Sequence, residues 1–272
     1  MNINRKAAAE IAEETMKIIE RGYYIIDGEN IFIGSQMQEA IINTCSYPPD
    51  KDPLEVGDIK KQQTEVTVMN ETTLSATERL AEENFSVAAL NFASAKNPGG
   101  GFRSGARAQE ESLARSSALH PCIVNNSMYT FHRQRNNPFY SNYALYSPKV
   151  PVFKRDDGTL LKKPYLCSFI TAPAVNAGAM RKRKSNENIR EEMQNRIRKV
   201  LTIAAFHQNE AIVLGAWGCG VFRNDSNMIA ELFHQELSSF SGIFAKVIFA
   251  VIDRSRNGQN IKPFYKLFPK GM

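Results

Sequence analysis

Cysteine is scarce in this sequence and never paired. Cys45, Cys122, Cys167 and Cys219 are its only four in 272 residues, and no C-x-x-C occurs. A chain of this size with so few cysteines is not held by a disulfide framework. Histidine is as sparse: His120, His132, His207 and His234 are scattered, and His120-Pro121-Cys122 has no partners at zinc-ligand spacing. No metal site is expected. No apolar run approaches the roughly 18 residues of a membrane span. Residues 1–22, MNINRKAAAEIAEETMKIIERG, scatter charge where a signal peptide would hold an apolar stretch. The expectation is a cytoplasmic protein with no membrane partner. Two nucleotide-binding fingerprints are also missing, the G-x-x-x-x-G-K-[ST] of ATPases and the G-x-G-x-x-G of dinucleotide folds.

Charge of neither sign dominates. There are 34 basic and 28 acidic residues, a net +6, which suits an anionic ligand or a nucleic acid without choosing between them. The densest basic run, Met180-Arg-Lys-Arg-Lys-Ser185, has no interleaved aromatics to stack on bases, so it reads as a solvated loop before a helix. Hydrophobic residues at 43% and charged residues at 23% are ordinary for a folded domain.

Periodicity supplies the architecture. Ile11, Thr15, Ile18 and Ile19 mark an amphipathic helix over 5–21, ended by Gly22. Residues 23–62 are less regular and contain a Pro48–Pro53 loop, so 1–62 is expected to be an extension packed on a core of 63–272. From residue 64 strands and helices alternate. Strands are predicted at Glu65–Met69, 87–92, 166–171, 211–214 and 247–252, and helices at Thr73–Glu82, 109–119, after Ser185, and around 226–238. In the third of these helices Ile189, Met193, Ile197, Val200, Leu201 and Ala204 share one face, with Ser185 as N-cap. Such alternation predicts an α/β fold with a mixed, mainly parallel sheet and helices on both faces. Ligands in these sheets sit beyond the carboxyl ends of the strands.

Two glycine-rich loops directly follow predicted strands, Asn97-Pro-Gly-Gly-Gly-Phe102 and Gly215-Ala-Trp-Gly-Cys-Gly-Val-Phe222. Backbone of this kind can turn several N–H groups toward one anion. Two such loops favour a diphosphate held between them. Phe222 could stack on a ribose or base, or pack in the core. Between the loops lies Gln109-Glu110-Glu111, at the predicted start of a helix. Carboxylates are common in a first turn because they complement the dipole. Adjacent helical positions point about 100° apart, so the two cannot flank one bond from opposite sides. One would do proton chemistry while the other holds substrate. A carboxyl beside another carboxylate should have its pKa raised, as a general acid at neutral pH requires, and glycosidic cleavage needs such an acid and then a base to activate water.

GGGFRSGARAQEE (99–111) resembles the signature of poly(ADP-ribose) glycohydrolases. The flanking segments 4–22, 90–102, 146–153, 168–179 and 214–225 are similar to the microbial, single-domain branch of that macrodomain family. The resemblance implies a three-layer α/β/α sandwich, with Glu111 as acid/base and Glu110 on the ribose being released. It places Asn97 and Gly99, Gly100 and Gly101 along that ribose and the diphosphate, with Gln109 beside them. Gly218, Cys219, Gly220 and Val221 would form the other phosphate wall, and Phe222 would brace the ligand. The implied activity is hydrolysis of ribose–ribose O-glycosidic bonds with release of ADP-ribose, by a monomer needing neither cofactor nor metal. Its partners would be ADP-ribose and the polymer or an ADP-ribosylated protein. Three rivals stand beside this. One is a reader that binds ADP-ribose without turnover, and another is a nucleotide-binding structural protein. The third is a hydrolase of a different adduct: a mono-ADP-ribosyl group, O-acetyl-ADP-ribose, or an ADP-ribosylated nucleic acid, the one form in which nucleic acid would be a partner.

Overall fold

The computed structural model describes residues 3–51, 56, 62–135, 137–180 and 186–269. Helix α1 (Arg5–Arg21) begins where the Asn4 side chain accepts from the Ala7 N–H at 2.9 Å, and ends at Gly22. Its buried face is Ala8, Ala12, Thr15 and Ile18. The following stretch, expected to be less regular, holds regular elements as far as Tyr47, and the expected Pro48–Pro53 loop lies partly outside the described residues. The stretch forms a hairpin of β1 (Tyr23–Ile26) and β2 (Glu29–Phe32), then α2 (Gly34–Ile42) and a short strand β3 (Cys45–Tyr47).

Beyond it come β4 (Glu65–Met69), α3 (Thr73–Glu82) and β5 (Val87–Phe92), with the limits that the periodicity predicts. The expected helix over 109–119 is two helices, α4 (Gln109–Ser116) and α5 (Leu119–Ile123). They break at Ser117, whose backbone is extended and pairs with Val152. Helix α6 (Ser127–Gln134) leads into two long strands, β6 (Ala144–Lys154) and β7 (Leu160–Ala172). The remaining elements are α7 (Asn186–Phe206), β8 (Ala211–Leu214), α8 (Ser226–Ser239), β9 (Lys246–Ala250) and α9 (Lys262–Leu267). The basic run at 181–184 and the expected cap Ser185 lie outside the described residues.

The central sheet has the order β3-β6-β7-β5-β8-β9-β4. The pairings of β7, β5, β8, β9 and β4 are parallel, and β6 alone runs against the rest. Because β3 pairs Cys45 with Tyr146 and Tyr47 with Ala144, the first 62 residues supply the edge strand of this sheet. Each central strand is buried on both faces, as strands covered by helices on either side must be. In β5, Ala88 and Leu90 join the core under α7, α8 and α9, while Val87 and Ala89 join the core under α2 to α6. The α7 face named above, from Ile189 to Ala204, is wholly buried. This three-layer packing leaves the strand ends free, and the carboxyl ends of β5, β7 and β8 open onto one edge. Among the described residues no helix is long and apolar enough to cross a membrane.

Candidate active site

The site is assembled by Gln109. Strand β5 pairs with β8 only as far as Ala89, which leaves its last residues without a strand neighbour on that side. Gln109 takes that place: Oε1 accepts from Phe92 N–H at 2.9 Å, and Nε2 donates to Leu90 O at 2.7 Å and to Thr73 Oγ1 at 3.1 Å. Its amide is therefore engaged with the sheet and α3. This docking sets the first turn of α4 against the glycine-rich loop, and Glu110 and Glu111 with it.

Both carboxylates are nearly enclosed, at 4% and 9% exposure. The loop backbone holds them. Glu110 accepts from Ser94 N–H at 2.7 Å and from Gly99 N–H at 3.2 Å. Glu111 Oε1 accepts from Gly101 N–H at 2.9 Å, while its Oε2 is buried without a hydrogen-bond partner among the described residues. Gly100 lies between the two side chains with φ of 58°. A Cβ there would strike Glu111 Oε1 and come within 3.1 Å of Glu110 Oε2. Only glycine permits this close approach. Burial pushes the Glu110 carboxyl up to about 8. The two backbone N–H bonds oppose that shift, and the charge of Glu111 adds to it. The pair therefore retains a proton near neutral pH.

The second loop is fastened differently. Trp217 is fully buried and anchors it. Asn224 Nδ2 donates to Val175 O at 2.8 Å and to Gly218 O at 3.2 Å, tying the loop to the segment after β7. Gly218 packs so closely that a Cβ would lie 2.7 Å from that of Ala174. Cys219 is half-buried, Gly220 faces open space, and Val221 is 82% exposed. Phe222 packs on the core cluster, the second of the two options, and its ring stands 6.0 Å from that of Tyr140. Asn97 is exposed at the rim of the first loop.

Several residues at this end of the sheet escaped the sequence reading. Asn91 is fully buried in β5 and donates to Thr171 Oγ1 at 3.2 Å. Its Oδ1 and the hydroxyl of the buried Tyr129, which lies close enough to feel the Glu110 charge, have no hydrogen-bond partner among the described residues. A polar residue inside an otherwise apolar strand was the available signal for Asn91. Tyr129 and Tyr140 carry none, since only folding brings them here. His120 and Cys122 serve packing, the first against the Phe102 ring at 5.1 Å and the second through its thiol to Ala118 O at 3.3 Å.

Residues 12–155 match the family model described as microbial-type PARG, catalytic domain. The poly(ADP-ribose) glycohydrolase of Thermomonospora curvata, solved with the inhibitor ADP-HPD, is 40% identical over 96% of this chain and 99% of its own, with a TM-score of 0.89. The chain belongs to the microbial-type poly(ADP-ribose) glycohydrolase family. The glycohydrolase of Deinococcus radiodurans in complex with ADP-ribose is 38% identical over 86% of this chain and 97% of its own, with a TM-score of 0.77. No curated protein sequence matches significantly. The family model stops before the second glycine-rich loop, whereas the structural likeness to the Thermomonospora enzyme runs almost the whole length.

Proposed function

We propose that this chain hydrolyses the ribose–ribose O-glycosidic bonds of ADP-ribose polymers, with Glu111 as general acid and then general base. The observation that carries this reading is the asymmetry of the Glu111 carboxyl. One oxygen is held by Gly101 N–H, and the other is enclosed with no partner among the described residues. A carboxyl positioned this way offers a single oriented proton to a leaving group. Membership of the family and the ADP-ribose and ADP-HPD complexes of its relatives supply the substrate class.

In this scheme the diphosphate lies against the Gly218–Val221 wall, and the Gly99–Gly101 backbone, whose N–H groups are taken by Glu110, Glu111 and the Asn97 carbonyl, borders the ribose. Asn97 borders the reacting ribose, and Phe222 and Tyr140 form an aromatic edge for the rest of the ligand. Glu110 faces the hydroxyls of the ribose being released. Gln109 acts through the backbone, by holding α4 in place. As the bond between the anomeric carbon and the departing ribose oxygen breaks, Glu111 Oε2 passes to that oxygen the proton that the buried Glu110–Glu111 pair retains. The sugar is left as an oxocarbenium ion, which the bound diphosphate steadies. Glu111, now a carboxylate, accepts a proton from water while the water oxygen bonds to the anomeric carbon. The carboxyl is thereby restored, and the net reaction consumes one water.

Substrate class is tested by presenting poly(ADP-ribosyl)ated protein, O-acetyl-ADP-ribose and ADP-ribosylated DNA side by side. Rapid release of ADP-ribose from the polymer is the expected result. Tight ADP-ribose binding with release only from another adduct would replace the polymer as substrate.

A further inference from the structure

Behind Glu111 lies a closed circuit of hydrogen bonds that the chemistry above does not use. Arg115, one helical turn further along α4, is 2% exposed. Its guanidinium donates to Ala106 O and, at 3.1 Å, to Ser112 Oγ. The Ala106 N–H donates to Gly101 O at 3.1 Å, and the Gly101 N–H donates to Glu111 Oε1 at 2.9 Å. The path runs from helix to loop and back to the same helical turn. Arg115 and Glu111 also attract each other across it.

A brace from outside the core completes the arrangement. The Thr15 hydroxyl of α1 donates to Arg115 O, and Lys154 Nζ donates to Thr15 Oγ1 at 3.0 Å and to Glu14 at 2.8 Å. At the other end of the loop Arg5 Nε donates to Ser104 O at 2.9 Å, and Arg107 donates to Ile3 O at 2.7 Å. Helix α1 therefore holds both Arg115 and the loop that Arg115 holds. A buried guanidinium is costly to desolvate, and burial pulls the Arg115 pKa below the usual arginine value. An apolar side chain of similar length would fill the space without that cost, but it could not bind the Ala106 carbonyl.

We propose that Arg115 is a positioning residue for glycosidic cleavage. It fixes the 101–106 loop so that Gly101 N–H locks one oxygen of Glu111 and leaves the other for the substrate, with α1 as the brace. Enclosed as it is, Arg115 acts through the loop and not on the ligand. The inference rests on the reading of Glu111 as acid/base.

The test compares the full chain with Arg115→Met, Arg115→Lys and Glu111→Gln. It measures kcat and KM on polymer, ADP-ribose affinity by calorimetry, and thermal unfolding. A shift of about 1 Å in a catalytic group costs up to about 100-fold in rate. Arg115→Met should therefore lose about 10- to 100-fold in kcat, with ADP-ribose affinity within about twofold of the parent. Arg115→Lys keeps the charge but not the two-point grip on Ala106 and Ser112, and should fall between them. A folded Arg115→Met with the parental kcat would overturn the proposal. So would a loss of affinity in step with kcat, which marks collapse of the whole site. If Arg115→Met does not fold, Arg115→Lys decides: a kcat lowered about threefold or more supports the role, and a parental kcat overturns it. Parental turnover by Glu111→Gln would overturn the reading beneath this inference. Parental turnover by the Arg115 variants beside an inactive Glu111→Gln would overturn the inference alone.

Discussion

The two glycine-rich loops leave the carboxyl ends of neighbouring strands, β5 and β8, and are built in opposite ways. In the first, backbone N–H groups of Ser94, Gly99 and Gly101 are directed at two buried carboxylates, and the loop is fixed from behind by Arg115 and α1. In the second, Trp217 and Asn224 hold the base while Gly220 and Val221 project into the open. One wall is ordered down to single oxygens, and the other offers bare backbone. That difference suits a site where proton transfer demands fixed geometry, while a diphosphate needs only N–H groups within reach.

Changes to the first loop should therefore cost turnover, and changes to the second should cost affinity. Gly100→Ala is the severest probe. Its Cβ falls on the Glu111 carboxyl, and its left-handed φ costs about 1–2 kcal/mol for any other residue. A loss of kcat of about 100-fold or more is expected, together with a lower melting temperature. Gln109→Leu comes next. It strands Leu90 O and Phe92 N–H, each a buried group costing about 1–3 kcal/mol when unsatisfied. Turnover should fall about tenfold or more, with a clear drop in stability by denaturant titration.

Glu110 sharpens the comparison through pH. Its carboxyl is raised to about 8 from 4.5, so the folded protein keeps a proton there that the unfolded chain has released. The stability this contributes is complete below 4.5 and is lost as pH rises through about 8. Melting curves across that window should fall more steeply for the parent than for Glu110→Gln. Equal slopes would break the account of the buried pair. On the opposite wall, Phe222→Ala removes an aromatic contact of about 0.5–1.5 kcal/mol. It should weaken ADP-ribose binding about two- to tenfold while kcat changes little, as calorimetry and steady-state kinetics would show.

The same contrast governs what could be read from the chain. The glycine loops, the Gln-Glu-Glu triplet and the buried strands are local patterns, and the structure has them where those patterns lie. The hairpin of β1 and β2 also had a local signal, Asp27-Gly28 between two apolar runs, with both residues at positive φ. Strand β6 was hidden by Pro148 and Pro151. Pro148 is tolerated because it lies in the register shift between Ser147 and Val150, and Pro151 because its carbonyl, and with it the side that lacks an N–H, faces Ala118 and not β7. Tyr140, Tyr129 and Arg115 were not legible, since each gains its role from partners that only the fold brings near. The raised pKa expected of the general acid is found at Glu110, the residue expected to hold the ribose. Burial, the largest cause, is a tertiary property that no spacing reports.

The central claim is that Glu111 supplies and then recovers the proton. Single-turnover release of ADP-ribose from polymer by the parent and by Glu111→Gln, with ADP-ribose affinity measured on both, tests it most directly. The account predicts equal affinity and release slower by about 100-fold or more in the variant. Release at the parental rate by a variant that still binds ADP-ribose would contradict it.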